Sequence, residues 1–337
     1  MKAVRLHEIG GPQNLRVETI ADPAPGEGEI AVKIHRAAFN RRDVFITQGL
    51  YPGIALPRTL GSDGSGVVAA LGVGATGPAQ GTAVVIDPML AWGPDAQLWD
   101  AKNSSILGMP RDGTFAEYVV VPAQNVYTKP KHLSDDEAAA IPLAGLTAYR
   151  ALVTRGRATK HDVVLITGIG GGVQTFVLLF AKHIGAKTIV TSSSDEKLAR
   201  AKAMGADVTI NYATSESWSK EARAAAGGGG PSLVVDSAGG DAFAQCLDIA
   251  RPGARIVTYG GTHAKSTIRM FSVFWKHLDI LGTSMGAPED FAGMLALMEA
   301  GQLRPALDDV VAMDDVVAAA EKMNANQQFG KVVLAVA

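Results

Sequence analysis

The sequence predicts an α/β chain in which a β-rich domain is interrupted by a doubly wound parallel sheet. Three observations predict it. From residue 1 to about 125, short runs of β character alternate with glycine and proline. From about 161, apolar runs of four to six residues are each followed by a helical pattern, as expected of parallel strands joined by right-handed crossovers. A last β run at 331–336 would most easily rejoin the first domain. The expected division is therefore 1–125 and 288–337 for the β-rich domain, with 126–287 inserted between them. The chain's 337 residues also exceed the ~250–300 at which a single core stops growing.

In the first domain the clearest strand runs are 29–35, 65–71, 82–86 and 114–121. The stretch 91–112 carries Trp92 and Trp99 with little periodicity, and reads as an excursion over the surface. In the inserted domain, runs at 163–167, 188–191, 208–212 and 233–236 precede helical patterns at 173–184, 195–204, 217–226 and 242–250. A fifth run follows at 255–259, and 278–282 would add a sixth strand. Amphipathic helices are expected at 289–299 and 314–323. The tract 227–230, four glycines, is a loop tip.

Composition narrows the function classes. Apolar residues at 47% and charged residues at 19% suit a packed globular protein. A net charge of -2 with interspersed signs argues against nucleic acid or anionic lipid as partner. The apolar runs fall far short of the ~18 residues of a membrane span, and no secretory signal is visible, so the expected location is the cytoplasm. Cys246 stands alone, which excludes an internal disulfide and any cysteine-rich zinc site.

The strand at 163–167 runs into Gly168-Ile169-Gly170-Gly171-Gly172-Val173 and then a long apolar helix. Glycines there let the backbone turn and let a pyrophosphate approach the positive helix N-terminus. The match to G-x-G-x-x-G is imperfect, because Val173, or Gln174 in the longer spacing, stands where the last glycine belongs. The next strand ends in Thr191-Ser192-Ser193-Ser194, with Lys197 and Arg200 beyond. An acid at that point would bond a ribose 2′-hydroxyl, whereas hydroxyls and a lysine suit a 2′-phosphate, so the expected cofactor is NADPH. Asp195 reads as first-turn dipole compensation, with Ser193 and Glu196 as a capping box.

Across nearly its whole length the chain resembles the medium-chain dehydrogenase/reductase superfamily, and within it the zinc-independent quinone oxidoreductase branch. The resemblance rests on Met1-Lys2-Ala3-Val4, Gly61-Ser62-Asp63-Gly64-Ser65-Gly66-Val67-Val68 and Asp112-Gly113-Thr114-Phe115-Ala116-Glu117-Tyr118. It rests also on Gly145-Leu146-Thr147-Ala148-Tyr149, the glycine turn, and Gly330-Lys331-Val332-Val333. It implies a GroES-like catalytic domain built from both chain ends, an inserted Rossmann domain, and a homodimer through the edge strand at 278–282. The implied cofactor contacts are Thr147, Gly168, Gly171, Gly172, Val173, Ser192, Ser193, Lys197, Tyr212, Gly260 and Lys331.

The same resemblance locates the positions at which alcohol dehydrogenases of the superfamily hold catalytic zinc. Here they are Asn40, Ser62 with Asp63, and Leu143, which offer neither thiolate nor imidazole. The lobe matching the structural zinc, 91–108, has no cysteine. No metal is expected, and His35 reads as a strand residue rather than a ligand. Without a Lewis acid, reduction of a small electrophilic acceptor such as a quinone or an activated alkene is the easier direction. Asn40 and Asp43 are the implied cleft residues. Tyr51 substitutes as proton-donor candidate, because the branch's usual tyrosine is Phe45 here. Trp92, Phe274 and Trp275 are candidate walls. A zinc-type alcohol dehydrogenase and an NADPH-binding redox sensor with vestigial catalysis are the rival readings.

Overall fold

The computed structural model describes residues 1–336. The chain forms two compact units, Met1–Leu146 together with the chain from Ala287 onward, and Thr147–Gly286. The first unit thus runs past the expected boundary at 125. The reason lies in three short elements that carry little periodicity of their own and are held by tertiary pairing.

The first unit begins with β1 (Lys2–Leu6), β2 (Leu15–Thr19), β3 (Glu29–Ala38), α1 (Arg41–Thr47), β4 (Arg58–Thr59), β5 (Asp63–Leu71) and β6 (Ala83–Ile86). It continues with β7 (Met89–Leu90), β8 (Ser105–Ile106), β9 (Tyr118–Pro122), β10 (Val126–Thr128), α2 (Asp135–Ala139) and α3 (Pro142–Tyr149). β10 pairs antiparallel with β6, Ser65 Oγ donates to Asp135 O at the start of α2, and Leu143 N donates to Asp63 Oδ1. Those bonds keep 126–146 with the first sheet. His35 lies on β3 with Nδ1 2.9 Å from Asp135 Oδ2, a strand residue as the alternation implied. Within 91–112, β8 pairs back on β7, and Asp100 ties a turn by accepting from the backbone of Lys102 and Asn103.

The second unit contains β11 (Val163–Ile166), α4 (Gly172–Ile184), β12 (Lys187–Ser192), α5 (Asp195–Ala203), β13 (Val208–Asn211) and α6 (Trp218–Ala225). It is completed by β14 (Leu233–Asp236), α7 (Gly240–Ile249), β15 (Arg255–Thr258), α8 (Met270–Trp275) and β16 (Asp279–Gly282). All pairs are parallel, in the order β13-β12-β11-β14-β15-β16. Leu165, Ile189, Val234 and Ile256 are buried in its core. Central strands covered on both faces read as continuous apolar runs, which is why the sequence showed them. The strand order reverses between β11 and β14, the switch point at whose carboxyl ends such sheets bind ligands.

The chain then returns through α9 (Pro288–Ala300), β17 (Leu307–Ala312), α10 (Val316–Asn324) and β18 (Lys331–Ala335). β18 lies antiparallel to β3 and parallel to β17, giving the sheet order β10-β6-β5-β3-β18-β17, with β9 also on β3. The core of this unit gathers Ile30, Ile34, Phe39, Phe115 and Leu334, all almost fully buried.

One local expectation fails. The N-cap of α5 is Ser194, whose Oγ accepts from Lys197 N at 3.3 Å, so the Ser193–Glu196 capping box does not form. Ser192 Oγ accepts from Ser194 N, which fixes the cap one residue later and leaves Ser193 exposed.

Candidate functional site

In the second unit, β11 leads straight into the glycine turn, and α4 starts at Gly172 with Gly171 as N-cap. Gly168 and Gly170 have φ of 67° and 134°, conformations that a side chain rarely tolerates. A Cβ on Gly168 would meet nothing within 4 Å, so that backbone faces open space. A Cβ on Gly170 would sit 2.8 Å from Lys197 Cδ, because the lysine stem lies across the turn. An anion reaching this turn therefore meets the amides of a helix N-terminus with an ammonium beside them. Gln174 lies against Gly171 and donates from Nε2 to Ser237 Oγ at 2.6 Å, so the side chain at the missing glycine's place is held by a bond to the residue that follows β14.

A cavity of about 450 Å³ opens at the carboxyl ends of these strands, lined by Thr167, Gly168, Thr191, Tyr212, Trp218, Ala238, Gly240, Asp241, Ala242, His263 and Lys265. Of the expected contacts, Gly168 and Tyr212 line it, and Ser192 adjoins Thr191. Val173 is in the first turn of α4. Thr147, buried in α3, and Gly260, whose carbonyl accepts from Thr258 Oγ1, are not among the lining residues. Trp218, Asp241, His263 and Lys265 were not anticipated. The turn Ser237-Ala238-Gly239-Gly240 after β14 was a usable signal, since ligands gather at strand carboxyl ends. No signal marked His263 or Lys265, which sit in an irregular loop held by His263 N donating to Ala238 O. The turn and the cavity fit a dinucleotide.

The first unit holds the remaining expected site residues. Lys331 is 3% exposed, and its Nζ donates to Phe39 O at 2.7 Å, Asn40 Oδ1 at 2.7 Å and Asp63 Oδ2 at 2.8 Å. An ammonium has three N–H groups, and all three are used, so Lys331 has none for a phosphate. Its expected place among the cofactor contacts is corrected accordingly. Asp43 Oδ2 accepts from Asn40 N at 2.8 Å, while Oδ1 has no partner among the described residues. Burial pushes the Asp43 carboxyl up to about 6, opposed by the charge of Arg42 beside it. Asn40 Nδ2 is likewise buried without an acceptor.

Tyr51 is only partly buried, and its ring lies 4.7 Å from the Arg42 guanidinium carbon. Its clearest role is to cover that cation. Trp92 is buried with Nε1 donating to Asp95 O, whereas Phe274 and Trp275 are 60% and 68% exposed on α8, and Trp275 lines a separate cavity of about 290 Å³ with Arg223, Asp248 and Phe271.

Zinc is held by three or four thiolate, imidazole or carboxylate ligands. At the matched positions Asp63 is bonded by Lys331 and Leu143 N, and Asn40 Oδ1 by Lys331. Ser62 Oγ accepts from Arg42 and donates to Leu107 O. A cation is already built into the ligand set, and zinc does not fit it. Among the described residues no three His, Cys, Asp or Glu side chains gather to hold a metal ion.

Residues 26–131 match the family model described as the alcohol dehydrogenase GroES-like domain, and 172–300 the model described as zinc-binding dehydrogenase. The chain is 36% identical over 336 residues to the zinc-type alcohol dehydrogenase-like protein YogA of Leptosphaeria maculans, covering 95% of this chain and 94% of that one. It is 29% identical to acryloyl-coenzyme A reductase of Metallosphaera sedula, covering 99% of each. Among solved structures it superposes on an NAD-dependent alcohol dehydrogenase with TM-score 0.92 at 39% identity, covering 100% of both chains. The quinone oxidoreductase of Coxiella burnetii gives TM-score 0.82 at 26% identity, covering 100% of this chain and 99% of that one. With a GroES-like domain, an inserted Rossmann unit and full-length relatives, the chain belongs to the medium-chain dehydrogenase/reductase superfamily and is an oxidoreductase.

Proposed function

We propose that the chain is a metal-independent reductase that takes hydride from NADPH and delivers it to a quinone or an activated alkene or carbonyl. One observation carries the metal-free part: Lys331 Nζ occupies the centre of the would-be ligand set, bonded to both Asn40 and Asp63. The preference for NADPH is supported by the hydroxyls of Ser192 and Ser193 and by Lys197. Asp241 in the cavity favours NADH instead, because an acid repels a 2′-phosphate, as does the name of the NAD-dependent alcohol dehydrogenase that the chain superposes on.

When bound, the nicotinamide supplies the hydride. The protein's share is to hold the pyrophosphate at Gly170 to Val173, to place the acceptor, and to stabilise the charge it gains. Tyr212 and Trp218 offer flat faces in the cavity for the adenine.

The test is steady-state oxidation of NADPH and NADH with phenanthrenequinone and with α,β-unsaturated ketones, before and after chelation. Expected is turnover with NADPH that chelator leaves unchanged. Activity abolished by chelator and restored by zinc would instead support the alcohol dehydrogenase reading that several relatives' names carry. Tight NADPH binding without turnover on any acceptor would favour the redox sensor.

The same reading includes a homodimer through β16. That strand pairs only with β15 among the described residues, and Ile280 on it is exposed, as are Met270, Phe271, Phe274 and Trp275 of α8. An apolar edge of this kind is normally covered. A light-scattering mass of one chain at micromolar concentration would refute it.

A further inference from the structure

Asp236 is the last residue of β14 and is fully buried. Its Oδ1 accepts from Thr167 Oγ1 at 2.6 Å, and its Oδ2 accepts from Gly239 N at 3.0 Å. Thr167 joins β11 to the glycine turn, and Gly239 is the N-cap of α7. The turn after β14 carries a third segment with it, since Thr262 N donates to Ser237 O and His263 N to Ala238 O. That approach is close: a Cβ on Gly239 would lie 2.5 Å from His263 O. All three segments belong to the second unit, and each lines the cavity of about 450 Å³, through Thr167, Ala238 and His263 respectively. One carboxylate thus sits behind the wall of that cavity and ties its sides together.

The charge at this point needs a reason. Both donors are neutral, and no Lys, Arg or His pairs with Asp236 among the described residues. A buried carboxylate without a counter-ion is costly, and a neutral amide of the same shape would cost less. Two consequences of the charge answer that cost. A charge-assisted bond is shorter and roughly twice as strong as a neutral one, so the carboxylate holds Thr167 and Gly239 more firmly than an amide would. The second consequence concerns the two helices that start beside the cavity. α4 has no acid in its first turn, whereas α7 has Asp236 on its N-cap amide and Asp241 in its first turn. The positive end of α7 is already met by negative charge, and that of α4 is open.

We infer that Asp236 is the positioning residue of the cofactor site, clamping Thr167 to Gly239 and closing the end of α7, so that a pyrophosphate settles at α4 alone. The inference rests on the dinucleotide reading of the cavity. Asp236 itself touches no cofactor and acts through the two turns it holds. Because the pyrophosphate is common to NADPH and NADH, the effect falls on both alike, unlike that of a residue serving the 2′-phosphate.

The test uses the full chain and the variants Thr167→Val, Thr167→Ser and Asp236→Asn. Affinities for NADPH, NADH and inorganic pyrophosphate are measured by titration well below each variant's thermal midpoint. Thr167→Val removes one arm of the clamp, and should weaken NADPH and NADH by about 10-fold each, the scale on which the outer partners of a binding site act. Thr167→Ser keeps the hydroxyl and should recover most of that affinity. Asp236→Asn keeps the shape and removes the charge, and serves also where Thr167→Val does not fold. It should bind both dinucleotides more weakly, because the clamp is looser. It should bind inorganic pyrophosphate about two- to fivefold more tightly, because a second helix end is then open. A residue that only supported the fold would lower the midpoint and leave all three affinities of the folded chain unchanged.

Dinucleotide affinities of Thr167→Val within about twofold of the parent would overturn the assignment. So would Thr167→Ser binding as weakly as Thr167→Val, since the hydroxyl would then not be the link. Asp236→Asn binding dinucleotides and pyrophosphate more tightly alike would reduce Asp236 to a repelling charge and overturn it too. A parent that binds neither NADPH nor NADH would overturn the dinucleotide reading together with this role, whereas a parent that binds and variants that match it overturn Asp236 alone.

Discussion

Lys331→Met is expected to destabilise the first unit by about 3–5 kcal/mol, the cost of leaving one partner of a buried ion pair uncompensated. Asp63 is fully buried, and its Oδ2 loses the ammonium at 2.8 Å. Phe39 O and Asn40 Oδ1 lose their donor in the same step. Methionine fills the volume but supplies no proton. The double change Lys331→Met with Asp63→Leu should recover much of the loss, because removing both members of a buried pair is often close to neutral. Urea titrations of the parent, the single and the double variant measure this. A single variant within about 1 kcal/mol of the parent, a typical surface effect, would mean that the pair contributes no more than an exposed one.

Lys197→Ala has the second large expected effect, this time on cofactor choice. A charge-assisted bond to a phosphate is worth about 1.5–3 kcal/mol, so the dissociation constant for NADPH should rise roughly 10- to 150-fold while that for NADH changes by less than about threefold. The position of the stem over Gly170 sets the competing outcome. If the ammonium serves the pyrophosphate common to both cofactors, both constants rise together, and selectivity then falls to Ser192, Ser193 and Tyr212. Fluorescence titration with each cofactor separates the two cases without depending on turnover.

The parallel sheet was legible because burial on both faces writes its central strands as apolar runs, and each of β11 to β16 falls within about a residue of its run. β10 was not, since three residues paired at the end of β6 leave no period to detect. The shift of the α5 cap from Ser193 to Ser194 shows a similar limit: three adjacent serines can each cap, and Ser192 decides among them by accepting from Ser194 N. The family resemblance carried by Gly330-Lys331-Val332-Val333 placed Lys331 among the cofactor contacts. Its three partners come from the ends of β3 and β5 and from the residue preceding α1, so nothing local could reveal them.

The pairing of β18 with β3 also sets an order of assembly. All six strands of the nucleotide unit are in hand once the chain has reached Gly282, so this unit can close on local connections alone. The first sheet cannot: β3 waits for a partner some 290 residues downstream in sequence, which makes its closure a contact of high loop-closure cost. Until Lys331 arrives, the Asp63 carboxylate has to remain hydrated, and burying it is coupled to the last strand docking. The residue that stands where a metal would stand is therefore also the latch that completes folding, and an N-terminal fragment made without it would expose both a charged pocket and an unpaired strand edge to aggregation.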